Sequence, residues 1–322
     1  MRFALTARVP APLSELWAFG RHGRLALVEA YKKGGGRVPH TYTVRILQPA
    51  DARTLRIVAA GPVTGVLYKL FWSDDGRRFL LSTDHQTFEC DATSGRVVAR
   101  HPWTMIAEDP RARVCITGVA ATYNSTVTLR RLAPPWTAIA TVRVPRHCEA
   151  QVGMPLECAF APRGERLAVA GAGACELILL VNWRVAQRRL LGARDTEVVD
   201  TPCEFAPSGR VLVIYDLTGA KFCAYDCATG KLLVRVPSRR NSVVSGCFTR
   251  DGRFFIGMSD NDNSITAWRV ATWRVCAVMR LKQVMPTLVG AYGVGTGLVI
   301  GTFARDTLLA ELQSSSPAAP AR

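Results

Sequence analysis

A single turn recurs along this chain and constrains its fold more than any other feature. Leu70–Arg77 reads LFWSDDGR, Ala159–Arg166 reads AFAPRGER, Glu204–Arg210 reads EFAPSGR and Cys247–Arg253 reads CFTRDGR. Each follows a short apolar or mixed run and leads into another: RFLLS, LAVAG, VLVIY and FFIGMS. A recurring strand–turn–strand unit defines an array, because one unit cannot bury its apolar faces alone and stacked neighbours can. The turn glycines Gly76, Gly164, Gly209 and Gly252 are 88, 45 and 43 residues apart, so the first gap spans two periods. WTMIAEDPRARVCITG, around Ala112, fills that gap with the same shape but without the glycine. LWAFGRHGRLALV around Gly23 and TLVGAYGVGTGLVIG near Gly297 supply a first and a last unit. Seven units result, with a period of about 46 residues.

After the turn, each unit continues with two more alternating strands. TFECDATSG (Thr87–Gly95) and FCAYDCATG (Phe222–Gly230) close the third strand most clearly, with STVTLRRLAPPW, CELILLVNW, SITAWRVATW and DTLLAEL as weaker counterparts. TLRIVAA, RVVARH, AIATVRV, VAQRRLL, KLLVRV and RVCAVMRL follow as fourth strands. Period-two alternation, β-branched and aromatic residues, and Asp/Gly/Pro/Ser turns all favour strands, and no stretch of ten or more residues holds a helical stripe. The seventh unit has no fourth strand of its own, since only QSSSPAAPAR follows Leu312. RFALTARV (Arg2–Val9) precedes the first complete unit and is predicted to be the outer strand of the last, closing the ring and removing an open edge. Residues 1–313 are then one domain, and the polar, proline-rich 314–322 a disordered tail.

The D-G-R hairpins and the D-A-T-S-G and D-C-A-T-G strand endings resemble those of the WD-repeat family over nearly the whole chain. That resemblance implies an all-β, seven-bladed β-propeller of four-stranded antiparallel blades, acting as a non-catalytic scaffold for protein–protein interaction. The departures are specific. The family's closing Trp-Asp stands here as Cys90-Asp91, Tyr225-Asp226 and Trp268-Arg269, and no Gly-His pair opens the units, so most of the family's buried Asp–His network is missing.

Composition agrees with such a ring. Hydrophobic residues make up 48%, enough to fill the faces between blades, and there is no apolar run long enough to span a membrane. MRFALTARVPAP is too short and too polar for a secretion signal. The ten cysteines lie mostly in or beside apolar strand segments, where a free thiol behaves as a small hydrophobe, and this favours a reducing intracellular compartment, cytoplasm or nucleus. Cys223 and Cys227 stand roughly 13 Å apart along a strand, too far to share a zinc ion.

The formal charge is +16, from 41 basic and 25 acidic residues, and favours an acidic partner. In a propeller the first–second and third–fourth turns share one face. The first–second turns carry Arg21, Arg24, Arg77, Arg78, Arg111, Arg113, Arg163, Arg166, Arg210, Arg250 and Arg253, offset in part by Asp74, Asp75, Glu108, Asp109, Glu165 and Asp251. Arg53, Arg96, Lys231 and Arg274 join them from the third–fourth turns, making this face net positive. The opposite face is mixed: Lys32, Lys33 and Arg37 in EAYKKGGGRVPH, with Arg239 and Arg240, against the acidic loops SDNDNS and DTEVVD. The bland alternative is that the arginines solvate hairpins and cover apolar edges with their stems. Gly34–Gly36 has no following Lys-Ser/Thr and no helix behind it, so it is not a phosphate-binding P-loop.

No catalytic, cofactor or metal residues are expected. The histidines His22, His40, His85, His101 and His147 are scattered, and Asp84-His85, in the loop STDHQT, is the one adjacent acid–imidazole pair; adjacency on a strand sends the side chains to opposite faces. The innermost strands are largely apolar, and Glu157 and Glu204 fall at different offsets from the turn, so they do not share one register of a metal ring. Nucleic acid is the second partner class, through phosphate contacts alone, because no zinc finger, RNA-binding signature or DNA-reading helix is present.

Overall fold

Alternation along most of the chain produces strands. A computed structural model contains 28 β-strands and describes residues 1–9, 17–19, 24–28, 39–48, 53–73, 75–109, 113–118, 126–132, 135–144, 157–162, 164–171, 174–191, 203–216, 221–236, 243–259, 262–281, 286–292, 297–302 and 307–313. Strand β1 is Arg2–Val9. Four-stranded meanders follow: β2–β5 (Trp17–Phe19, Leu25–Val28, His40–Gln48, Arg53–Val63), β6–β9 (Leu67–Trp72, Arg78–Thr83, Thr87–Asp91, Val97–His101) and β10–β13 (Thr104–Asp109, Val114–Gly118, Thr126–Arg131, Ala138–Arg143). Next come β14–β17 (Glu157–Phe160, Arg166–Gly171, Ala174–Val181, Arg184–Leu191), β18–β21 (Cys203–Phe205, Val211–Asp216, Lys221–Asp226, Leu232–Val236) and β22–β25 (Val243–Phe248, Phe254–Ser259, Ser264–Arg269, Arg274–Arg280). The seventh sheet has the order β1-β28-β27-β26, with β26 at Pro286–Tyr292, β27 at Gly297–Thr302 and β28 at Thr307–Gln313. This is a seven-bladed β-propeller. Its last blade takes its outer strand from the N-terminus: β1 runs antiparallel to β28, Arg2 opposite Gln313 and Val9 opposite Thr307.

The second strands read as continuous apolar runs because both of their faces are buried. In β7, Phe79 and Leu81 pack toward the first blade while Leu80 packs toward the third. The same parity holds in the sixth blade, where Phe255 faces the fifth blade and Ile256 the seventh. Apolar clusters lie between every consecutive pair of blades from the first to the seventh. Burying a side chain such as Phe79 or Phe255, both fully covered, contributes roughly 1.5–3 kcal/mol. The array therefore holds together blade by blade.

The third–fourth turns depart from the sequence pattern in an instructive way. Their left-handed position is held by Gly95 (φ 74°) and Gly230 (φ 72°), but by Trp136 (φ 57°), Trp183 (φ 63°) and Trp273 (φ 53°) in three other blades. A bulky residue there costs about 1–2 kcal/mol of backbone strain. Each indole offsets that cost by wedging against the preceding blade: Trp136 on His101, Trp273 on Phe222, Trp183 on the cluster between the third and fourth blades. Where glycine stands, the preceding blade already fills the space. A Cβ on Gly95 would lie 2.3 Å from the Ala59 carbonyl oxygen, and one on Gly230 2.4 Å from the Arg189 side chain.

Candidate interaction face

The four recurrent turns close with the same two hydrogen bonds. Ser73, Ala161, Ala206 and Thr249 donate their backbone N–H to the carbonyls of Arg78, Arg166, Val211 and Phe254, at 2.8–3.0 Å, and accept from Gly76, Gly164, Gly209 and Gly252 in turn. Those glycines all have φ between 66° and 72°, a left-handed conformation that glycine adopts without a Cβ clash. Asp75 and Asp251 brace two of the turns, each accepting from the backbone N–H two residues on, at 3.0 Å. That N–H from Arg77 is the main reason the Asp75 carboxyl sits below its ordinary range.

The turns of the fourth, fifth and sixth blades form a connected surface. Gly252 rests beside Pro207 of the fifth blade, and Gly209 beside Pro162 of the fourth. The third–fourth turns lie on the same face: the carbonyls of Arg77, Arg113, Glu165, Arg210 and Arg253 accept from the N–H groups of Ala92, Leu132, Leu180, Cys227 and Val270.

Within that surface the arginines divide by their partners. Arg78 donates to Glu89, which is nearly buried on β8 and also lies 3.3 Å from His101. Arg166 pairs with Glu165 at 3.2 Å, and Arg253 pairs with Asp251 at 2.6 Å. Arg24, Arg77, Arg210 and Arg250 are exposed, and among the described residues Arg77 and Arg210 make no ion pair. Arg96, Lys231 and Arg274 are exposed beside them. Arg21, Arg163, Lys32, Lys33, Arg37, Arg239 and Arg240 lie outside the described residues, so the loop EAYKKGGGRVPH and the Arg239-Arg240 pair are not placed.

Asp84 and His85 correct the expectation drawn from adjacency. They sit in the bend between β7 and β8, not on a strand, and the turn brings His85 Nε2 within 3.1 Å of Asp84 Oδ2. The other carboxylate oxygen accepts the Val66 backbone N–H at 2.9 Å, which ties this bend to the start of β6. The pair is structural wiring at the opposite face.

Ionisable side chains also gather on the inner wall. Lys69 on β6 and Glu157 on β14 form a 2.9 Å ion pair across two blades, each about a quarter exposed (28% and 25%). They occupy equivalent places, four residues before the turn-closing Ser73 and Ala161, and so stand at one level of the ring. Burial disfavours the Lys69 ammonium, but the charge and hydrogen bond of Glu157 outweigh it and hold the group above its ordinary value. Glu204 on β18 reaches to the next blade and accepts the Phe248 N–H at 3.1 Å. Innermost strands leave alternate N–H groups without a ladder partner, and this carboxyl satisfies one. Burial pushes Glu204 up to about 8, against the pull of the Phe248 N–H and Arg250. Among the described residues no group of three or more His, Cys, Asp or Glu could hold a metal ion, and the nine described cysteines are free thiols.

The Glu204 shift makes a pH prediction. A carboxyl raised on folding binds its proton more tightly in the native state, so its contribution to stability is present below about 4.5 and lost as pH rises toward 8. Glu204→Gln keeps an acceptor for Phe248 and removes the titration. Thermal unfolding at pH 5 and pH 9 should therefore show a smaller pH difference in the variant, with the variant the more stable protein at pH 9. An unchanged pH difference would show that Glu204 does not titrate as described.

No protein-family model and no curated protein matches the chain. The β-propeller domain of Cps50 (Swd1) from Myceliophteria thermophila superposes on it with a TM-score of 0.68 at 13% identity, covering 97% of this chain and 100% of that one. At that identity the likeness is one of fold. With 1599 solved chains matching, it fixes the architecture and accords with the WD-repeat resemblance of the turns, without singling out a partner. No helix among the described residues is long and apolar enough to cross a membrane.

Proposed function

We propose that this propeller is a non-catalytic scaffold for protein–protein interaction, and that its turn-bearing face takes an acidic protein partner. The observation that carries this reading is the tiling of the turns, which sets exposed Arg210 and Arg250 on neighbouring blades of one continuous surface. Arg24 and Arg77 extend the cationic set on the first and second blades. A guanidinium presents a planar fork that matches a carboxylate, and an exposed row of them steers an acidic partner to one orientation. Arg21, Arg163, Arg166 and Arg253 belong to the same set, with Arg78 as a turn residue whose charge Glu89 already neutralises. Lys32, Lys33, Arg37, Arg239 and Arg240, which lie outside the described residues, are candidates for a second contact region. Residues 1–313 make up the propeller and the β1–β28 pairing latches its ring; the stretch expected as a tail, 314–322, lies outside the described residues. The free thiols suit a reducing compartment.

Replacing Arg77, Arg210, Arg250 and Arg253 by glutamate tests the face. Arg78 is left alone, because reversing it would set two carboxylates together at buried Glu89. Binding to a polyglutamate probe at low salt should weaken at least tenfold, while the thermal midpoint stays within a few degrees, since exposed charge changes cost little stability. Unchanged affinity would move the site to the opposite face.

A further inference from the structure

The propeller's charge is also sorted along its radius. The outermost strands of the seven blades read RFALTARV, RTLRIVAAGPV, VVARH, AIATVR, RVAQRRLL, LLVRV and RVCAVMR. Together they hold a dozen arginines and no lysine, aspartate or glutamate. The chain as a whole has 41 basic and 25 acidic residues, so a dozen charges drawn at that ratio would include four or five acids. The innermost strands show the reverse bias, with Glu108, Asp109, Glu157 and Glu204 against Lys69 alone. Edge strands are guarded by charged side chains, usually lysine; here arginine takes that place on every blade.

The rim charge is presented to solvent. Arg56, Arg143, Arg184, Arg235, Arg274 and Arg280 are exposed on five blades, and none of them makes an ion pair among the described residues. Exceptions have local work: Arg188 pairs with Glu176 at 2.7 Å, and Arg100 lies over Phe88. Between the arginines stand exposed aliphatics, including Ile57, Val98, Leu233 and Val278. Phe3 and His101 are the aromatic residues in the seven outer strands, and His101 is already stacked on Trp103, so the belt offers no row of stacking platforms for bases.

We infer that this rim binds the phosphodiester backbone of a nucleic acid, without reading its sequence. Among the described residues, exposed rim arginines free of ion pairs stand on five of the seven blades, whereas a compact acidic protein would cover one or two. A chain with an evenly repeated negative charge can follow them. Arginine alone supplies the cations, and its fork pairs bidentately with phosphate. Arg274, next to a third–fourth turn, borders both surfaces; the other five rim arginines are separate from the turn face, and neither reading depends on the other.

The test is binding of uridine and thymidine homopolymers of about 10 and about 40 nucleotides, at roughly 0.05 and 0.15 M salt. The parent protein should bind the longer strands at both salts, more tightly than the shorter ones, with little distinction between RNA and DNA or between homopolymers of different base. Substituting glutamine for Arg56, Arg143, Arg184, Arg235 and Arg280 should weaken binding at least tenfold and flatten the salt dependence by about 0.7 per lost phosphate contact. Two half-sets, one on blades one to four and one on blades five and six, should each lose part of the affinity, so misfolding of the full variant leaves the test intact. The turn variant Arg77→Glu with its three companions should bind nucleic acid within about threefold of the parent, since phosphate contacts at the rim carry the affinity. Absence of binding at the higher salt would overturn the inference, as would a turn variant that loses as much as the rim variant. Displacement of the strand by polyglutamate at equal charge concentration would do the same, marking the rim as an acidic-protein surface.

Discussion

A chain lacking residues 1–9 should fail to unfold cooperatively at physiological temperature, whereas one lacking residues 314–322 should melt within about 2 °C of the parent. The difference follows from β1, which pairs with β28 along almost its whole length and packs Met1 and Phe3 against the cluster between the sixth and seventh blades. Without it, β28 becomes an open edge whose unpaired groups invite other chains. Each lost hydrogen bond costs about 0.5–1.5 kcal/mol, and the two partly buried side chains add a few more, against a typical total of 5–15 kcal/mol. Circular dichroism melts and limited proteolysis would report the outcome. If both deletions behaved alike, β1 would not be the latch of the ring.

Trp136→Gly should lower stability by about 2–3 kcal/mol, even though glycine suits its backbone better. Trp136 is buried, with its ring 5.2 Å from His101 and 5.6 Å from Trp103. Losing a large core aromatic costs about 3–5 kcal/mol, and release of left-handed strain returns about 1–2. The balance is a thermal midpoint lower by roughly 3–5 °C. A variant as stable as the parent would mean that the indole does not wedge the second and third blades together.

Much of this architecture could be read from the chain. The glycine spacing gave seven units, the fourth strands from TLRIVAA to RVCAVMRL are β5 through β25, and RFALTARV is the strand paired with β28. Local alternation sufficed because every blade is a meander of neighbours in sequence. The turns PPW, VNW and ATW were visible as counterparts of TSG and ATG, but the left-handed tryptophan was not, because its reason lies in the preceding blade. Contacts across the ring were hidden for the same cause. Lys69 and Glu157 are 88 residues apart, and only aligning the turns shows that both stand four places before the turn-closing residue. The Asp84–His85 contact was misjudged because one bend separates strand geometry from turn geometry. Counting arginines in turns also drew attention to one face, where three of them are paired to carboxylates, and away from the outer strands.

Affinity capture of the parent protein from its native source, with and without nuclease, tests the scaffold account most directly when run beside the turn variant Arg77→Glu, Arg210→Glu, Arg250→Glu, Arg253→Glu. Acidic proteins that co-purify with the parent after nuclease, and are lost from the turn variant, are the predicted result. A parent that keeps no acidic protein after nuclease, or a turn variant that retains those proteins in full, would contradict the assignment of the turn face to an acidic protein.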